Sequence, residues 1–298
     1  MVRNVQIRTV AVLSPGDMGH AVGRVLKDSG LRVVTCLQGR SERTRELAHR
    51  ANMENTSSLE ELVSQSDLIL SIIPPSEAVK LAQQMATVLR AVSASTYYAD
   101  CNAISPQTAK KIDAIITEAG GRFINASIIG SPPGKAEPPR FYVSGPHASI
   151  MSELDGKGIK IRLIGDEVGR ASGIKMCYAA LTKGSQALWI ALLTAAEAMG
   201  LTDELRHELL SSQSNVYRQM ERQIPGTPVK ARRWVGEMDE IASTFAQVGL
   251  TPQFHKAASE IFRFVGQTRL AEETPENRDT SRTLEQTIGV FARCLKNA

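Results

Sequence analysis

Ser14-Pro15-Gly16-Asp17-Met18-Gly19 is the segment of this chain with the most chemistry in it. It lies where an apolar, β-rich run gives way to a helical one. Glycines at such a seam let the backbone turn sharply and leave N–H groups open at a helix N-terminus, where they can meet phosphate. The full pattern is GxGxxG, with one glycine for the turn, one for close pyrophosphate approach and one for helix–strand packing. Ser14 stands in place of the first glycine, and Pro15 is expected to hold it extended at the strand end. The next such segment is Leu37-Gln38-Gly39-Arg40-Ser41-Glu42-Arg43. In a dinucleotide site this stretch reads the adenosine ribose, and an Asp or Glu at the strand end accepts from a free 2′-hydroxyl. No carboxylate occupies that end here. Gly39, Arg40, Ser41 and Arg43 instead offer donors to a 2′-phosphate. The expected cofactor is NADP, with NAD as the alternative.

Strand–helix alternation is what positions such turns. Arg8–Leu13, Leu31–Leu37, Leu68–Ile73, Thr96–Cys101, Phe123–Ser127, Phe141–Ser144 and Lys160–Ile164 read as strands, several of them continuous apolar runs of the kind covered on both faces. Helical patterns fall between them at Met18–Ser29, Ser41–Asn52, Ser76–Val92 and Ser105–Ala119. Ser76 and Ser105 are expected N-caps, and Pro106 suits a first helical position. After Ile164 the strand signal stops. Asp166–Met199 reads as one helix ended by Gly200, followed by helices at Thr202–Arg222, Val229–Val248, Pro252–Val265 and Arg282–Lys296, with Ala271–Thr280 a loop. The expected fold is a Rossmann-type α/β domain with a parallel doubly wound sheet, residues 1–164. An all-helical domain for substrate binding and dimerisation follows, residues 165–298.

Composition narrows the function classes. At 298 residues, two domains are the better prior. The net charge of +4 is spread along the chain, so no nucleic-acid surface is expected. Cys36, Cys101, Cys177 and Cys294 form no CxxC pair and read as buried, reduced thiols. The histidines show no metal-ligand spacing, so no metal is expected. The N-terminus lacks a signal-peptide pattern and no run is long enough to span a bilayer. A soluble cytoplasmic protein, without membrane contact, is the expectation.

With these features the chain resembles the β-hydroxyacid dehydrogenases, relatives of 3-hydroxyisobutyrate and 6-phosphogluconate dehydrogenases. The carriers are the Ser14–Gly19 loop, Ile72-Ile73-Pro74-Pro75, Asp100-Cys101-Asn102, Asn125-Ala-Ser127-Ile-Ile129-Gly130-Ser131 and Gly169-Arg-Ala-Ser-Gly-Ile-Lys175. In its second half the chain is similar to a little-characterised 6-phosphogluconate dehydrogenase-like branch, through Lys175-Met-Cys-Tyr178-Ala179-Ala-Leu-Thr182-Lys183-Gly and Arg233-Trp-Val-Gly-Glu-Met. The resemblance implies Lys175 as general acid/base, Ile73, Pro74, Pro75 and Asn102 beside the cofactor, and Ile129, Gly130 and Ser131 at the substrate. It also implies a homodimer built on shared helices.

The chain departs from the family in three places. Ala179 replaces an asparagine, Ile129-Gly130 replaces a Ser-Gly pair, and Glu237-Met-Asp239-Glu240 falls where a second lysine is usual. The lysine role also makes sense on its own chemistry: hydride leaving a carbinol carbon needs the hydroxyl proton removed in the same step. At ~100° per residue, Ala179, Thr182, Lys183 and Gln186 share a sector with Lys175. Tyr178 lies toward an apolar stripe with Ile174, Leu181, Leu188 and Ala195. Tyr178, Ala179, Thr182 and Gln186 are the candidate substrate contacts on this helix, and Arg140, Lys183, Lys230 and Arg233 the candidate partners of a substrate carboxylate. The expected function is NADP-linked hydride transfer to or from a small hydroxyacid. The alternatives are an imine reductase on the same frame, with the acidic Glu237/Asp239 region suited to an amine-bearing substrate, and a non-catalytic nucleotide-binding protein.

Overall fold

Along the first strand the side chains sort themselves by alternation. Val10 and Val12 enter one apolar cluster with Val22 and Leu26, while Ala11 and Leu13 enter another with Ile69 and Met85. A strand that feeds two cores has helices on both its faces, which is why the run is apolar throughout. In the computed structural model, which describes residues 6–94, 96–134 and 137–295, this strand is the pivot of an eight-stranded sheet. The strands are β1 (Thr9–Leu13), β2 (Arg32–Cys36), β3 (Glu54–Thr56), β4 (Leu68–Ser71), β5 (Tyr97–Asp100), β6 (Arg122–Ile129), β7 (Arg140–Ser144) and β8 (Lys160–Leu163). Their order is β3-β2-β1-β4-β5-β6-β7-β8.

Helices α1 (Asp17–Asp28), α2 (Glu42–Arg50), α3 (Leu59–Gln65), α4 (Ala78–Val92) and α5 (Pro106–Glu118) connect the parallel strands. Ser41 and Ser105 cap α2 and α5 by accepting from the N–H groups of Thr44 and Thr108, and Pro106 opens α5. The strand–helix alternation is therefore as expected, with four differences. The stretch 54–65, unassigned from sequence, is β3 and α3; its signal was a capping box in which Ser58 accepts from Glu61 N–H and Glu61 accepts from Ser57 N–H. β7 runs antiparallel to β6, because the connection from Ile129 to Arg140 is shorter than the crossover of about a dozen or more residues that a parallel return needs. Ser76 is not a cap: it lies in a 3-10 turn, Pro75–Glu77, and α4 starts at Ala78. Of the cysteines, Cys36 and Cys101 are buried, whereas Cys177 is exposed and Cys294 half-buried.

The long helix α6 spans Arg170–Met199 rather than starting at Asp166, because Gly165 and Gly169 both take φ of +107° just before it. The chain divides into two compact units at Met176/Cys177, inside α6, where the sequence places the change near residue 165. The opening turn of α6 is tied to the first unit. Asn125 on β6 accepts from Gly169 N–H (3.0 Å) and Ser172 N–H (3.2 Å) and donates to Ser172 Oγ (2.9 Å). Ser144 Oγ on β7 accepts from Ala171 N–H.

The second unit contains the rest of α6 with α7 (Thr202–Ser212), α8 (Ser214–Gln223), α9 (Pro228–Gln247), α10 (Gln253–Gln267) and α11 (Leu284–Leu295). The single helix expected over Thr202–Arg222 is broken at Gln213, which leaves helical geometry at φ −135°. The 3-10 turn Arg269–Glu272 enters the segment expected as loop. The last helix is described to Leu295; its expected end, Lys296, lies outside the described residues. Trp234 of α9 packs edge-on against Phe262 of α10, with centroids 5.1 Å apart. No helix among the described residues is long and apolar enough to cross a membrane.

Candidate active site

The parallel strands β1, β2, β4, β5 and β6 all end on one edge of the sheet, and the candidate residues of the first unit gather there. β1 has β2 on one side and β4 on the other, so the chain leaves it in opposite directions and opens a crevice at its carboxyl end. Ligands of open α/β sheets bind at such a switch point. Ser14 leaves β1 with φ +55°, not extended as expected. Pro15 bars the right-handed helical region to the residue before it, and the tight turn takes Ser14 to the left-handed one, closed by Gly16 N–H donating to Ser14 O at 2.8 Å.

Gly16 has open space where a Cβ would be, whereas a Cβ on Gly19 would come within 3.3 Å of Val12 Cγ1. The two glycines therefore do different jobs: one leaves a cradle in front of the helix, the other lets α1 lie close on β1. The α1 N-terminus has no side-chain cap. Its first-turn N–H groups and the space at Gly16 fit a pyrophosphate.

At the end of β2, Gly39 turns with φ +71° and Arg40 follows. Arg40 Nε is buried and has no hydrogen-bond partner, while its carbonyl accepts from Arg45 Nε at 3.2 Å. A buried guanidinium N–H without an acceptor is costly, and an anion there would satisfy it. Ser41 Oγ is engaged in capping α2. Arg43 reaches back to the glycine loop, with Nη2 2.5 Å from Asp17 Oδ1.

After β4, Ile73 is half-buried, Pro74 exposed and Pro75 buried. Asn102, after β5, is 2% exposed and holds this turn from beneath. Its Oδ1 accepts from Ile73 N–H at 2.7 Å, and its Nδ2 donates to Ser71 Oγ and to Asp100 Oδ2. Asn102 thus supports the loop expected to face the cofactor. Burial, followed by the nearby Asp100 charge, pushes the Cys101 thiol well above its usual range.

Lys175 meets the edge from α6. Its Nζ donates to Ile128 O at 2.7 Å, at the carboxyl end of β6, one residue before Ile129-Gly130-Ser131. Ile129 is buried, and Gly130 and Ser131 are exposed, with Gly130 at φ +125°. The structure therefore brings together Lys175 and the β6 edge, groups far apart in sequence. Asn125 and Ser144 make this possible by seating the start of α6, a positioning role that the sequence reading missed. Only the residue types hinted at it: polar side chains inside otherwise apolar strands.

In the second unit Ala179 is buried, Thr182 half-buried and Tyr178 46% exposed. Gln186 accepts from Thr227 Oγ1 at 3.0 Å and donates to Thr182 O at 3.1 Å, so both ends of its amide are in use. Lys183 is 8% and Glu237 6% exposed, and they pair at 2.8 Å. Arg233 Nε approaches the other Glu237 oxygen at 3.5 Å, and Lys183 and Lys230 lie over the Trp234 ring at 5.5 and 5.8 Å. Glu237 and Asp239, two residues apart on α9, point differently, and Asp239 is exposed. The acidic stretch is thus not one group. In the first unit, Arg140 pairs with Glu137 at 3.6 Å.

Residues 9–153 match the NAD binding domain of 6-phosphogluconate dehydrogenase, and residues 196–265 match a domain of unknown function, DUF1932. An uncharacterised 28.5 kDa protein of Methanothermus fervidus is 28% identical, over 84% of this chain and 96% of its own. The solved structure of the conserved protein MTH1747, of unknown function and described as similar to 3-hydroxyacid dehydrogenases, is 30% identical. That match covers 86% of this chain and 96% of the other, with a TM-score of 0.64. Two more distant structures share the fold. Mycobacterium tuberculosis 3-hydroxyisobutyrate dehydrogenase is 18% identical over 96% of this chain and 99% of its own, TM-score 0.68. Streptomyces aurantiacus imine reductase is 19% identical over 95% and 99%, TM-score 0.55.

Proposed function

The chain belongs to the β-hydroxyacid dehydrogenase family, and from that premise we propose that it is an NADP-preferring oxidoreductase of small hydroxyacid-like substrates, with Lys175 as general acid/base. The observation that carries this reading is the place of Lys175: its ammonium sits 2.7 Å from Ile128 O at the carboxyl edge of the sheet. The carbonyl anchors the amine at the end of β6, the strand from which Gly130 and Ser131 follow.

The nicotinamide, when bound, takes or gives the hydride; this chain's residues supply the rest. The Ser14–Gly19 turn and the α1 N-terminus would hold the pyrophosphate, Arg40 and Arg43 a 2′-phosphate, and Ile73–Pro75, braced by Asn102, would lie beside the dinucleotide. Lys175 takes the hydroxyl proton during oxidation and returns it during reduction. The orphaned Arg40 Nε supports NADP over NAD. A homodimer completes the reading, supported by the exposed apolar residues of α6, and the cytoplasm is its proposed compartment.

The shared fold favours imine reduction as the second reading. In this chain, however, Glu237 is engaged by Lys183 and Arg233, and Asp239 faces out, which favours the hydroxyacid. The test is Lys175→Ala, assayed over hydroxyacid and cyclic-imine panels with calorimetric titration of NADPH. Turnover of a hydroxyacid is expected to fall roughly 10²–10⁴-fold with NADPH affinity nearly unchanged. Retention of more than about a tenth of the activity, below that span, would remove Lys175 from the chemistry, and turnover of imines alone would replace the substrate class.

A further inference from the structure

Resting on the nicotinamide-cofactor reading, we propose that Asp17 sets how strongly the chain prefers a 2′-phosphorylated dinucleotide, by competing with that phosphate for Arg43. Three side chains at the end of β2 have the chemistry to hold a phosphate, and they stand in different conditions. Arg40 keeps a buried Nε with no partner. Ser41 spends its oxygen on the α2 cap. Arg43 is drawn back to Asp17, at 2.5 Å, with the two side chains 38% and 44% exposed. The ion pair bridges the first turns of α1 and α2, so it joins the pyrophosphate turn to the segment that reads the ribose.

An acid at the first position of a helix is favourable in itself, because it faces the positive end of the helix dipole. That accounts for Asp17 on α1 but not for Arg43 spanning to it. A phosphate monoester carries up to two charges and three acceptor oxygens, and it outbids a single carboxylate for a guanidinium. Binding of a 2′-phosphate therefore has to take Arg43 from Asp17, and the energy of the pair is subtracted from the gain. A cofactor ending in a plain 2′-hydroxyl leaves the pair intact and forfeits nothing. Asp17 is accordingly a positioning residue: it touches Arg43, and through Arg43 it moderates the preference that the two arginines create. The coupling of an exposed ion pair is small, so the effect is graded and grows as ionic strength falls.

Calorimetric titration of NADPH and NADH into the whole protein at low salt tests this, with Asp17→Asn, Arg43→Ala, the double variant and Arg40→Ala. Asp17→Asn keeps the side-chain size and removes the charge; Asp17→Ser serves if the amide is not tolerated. Loss of a negative charge beside the pyrophosphate strengthens both cofactors, so the ratio of the two affinities is the readout. Asp17→Asn is expected to raise the NADPH:NADH ratio about two- to fivefold, the range to which an exposed pair's coupling converts. In the Arg43→Ala background the same substitution should leave the ratio unchanged. A ratio that Asp17→Asn does not move, or moves equally without Arg43, overturns the proposal. An Arg43→Ala variant with the wild-type ratio also overturns it, while a ratio lowered by Arg40→Ala keeps the NADP reading standing. If neither arginine variant changes the ratio, that reading falls and the proposal with it.

Discussion

Lys183 and Glu237 place two opposite charges where water is nearly excluded, and the balance there depends on both being present. Desolvating a lone charge costs more than pairing two of them returns. Arg233 at the second carboxylate oxygen and the Trp234 ring over the lysine complete the surroundings. Glu237→Gln, which leaves the lysine buried without its counter-ion, is expected to destabilise the chain by about 3–5 kcal/mol. A Lys183→Met, Glu237→Leu double variant should recover most of that loss. Urea denaturation with a two-state fit measures both; a single variant as stable as wild type would show the pair to be solvated. This pairing was hidden in the sequence. Lys183 and Glu237 read separately as a candidate carboxylate partner and as part of an acidic stretch, and only the packing of the second unit makes them one group.

The helices of that unit also carry a pH dependence. His255 on α10 is buried with its Nδ1 unpartnered, edge-on to Phe245 and Phe254 at 4.3 and 5.3 Å between ring centroids. Burial pushes its pKa below the ordinary imidazole value. The unfolded chain takes up the proton near pH ~6.5, the folded chain only at lower pH, so stability is present above that value and is lost as pH falls through it. Denaturation midpoints are expected to drop between about pH 7 and 5, and less steeply in His255→Phe. Equal slopes in the two proteins would exclude His255 as a source. Elements of this kind differ in how plainly the sequence announces them. Long apolar runs and the Ser105 cap were legible because local chemistry decides them, whereas the cap at Ser41 was read as a phosphate donor and the one expected at Ser76 is absent. β3 and α3 were overlooked because they are short and mostly polar, and the left-handed Ser14 because a proline excludes one conformation without choosing between the rest. The direction of β7 was readable in principle from the short connection before it.

For the molecule as a whole, the exposed part of α6 argues for pairing. In the second unit Tyr178, Leu181, Leu188 and Met199 are 46%, 67%, 53% and 65% exposed, at a spacing that keeps them on one face. An apolar stripe along one helix face is the kind of surface that a partner covers, and a two-fold interface buries the same stripe on both copies. Light scattering at micromolar concentration is expected to report a dimer, and Leu188→Glu to shift it toward monomer; a wild-type monomer would sink the reading. The rims of the sheet work in the opposite sense. At one rim β3 is three residues long, and Glu54 is held by Arg32 at 2.8 Å. At the other, β8 carries Lys160 and Arg162. An open strand edge is a template for another chain's backbone, and brevity and like charge are the usual defences against it. Both rims of the sheet thereby carry a defence against addition of another copy's strand.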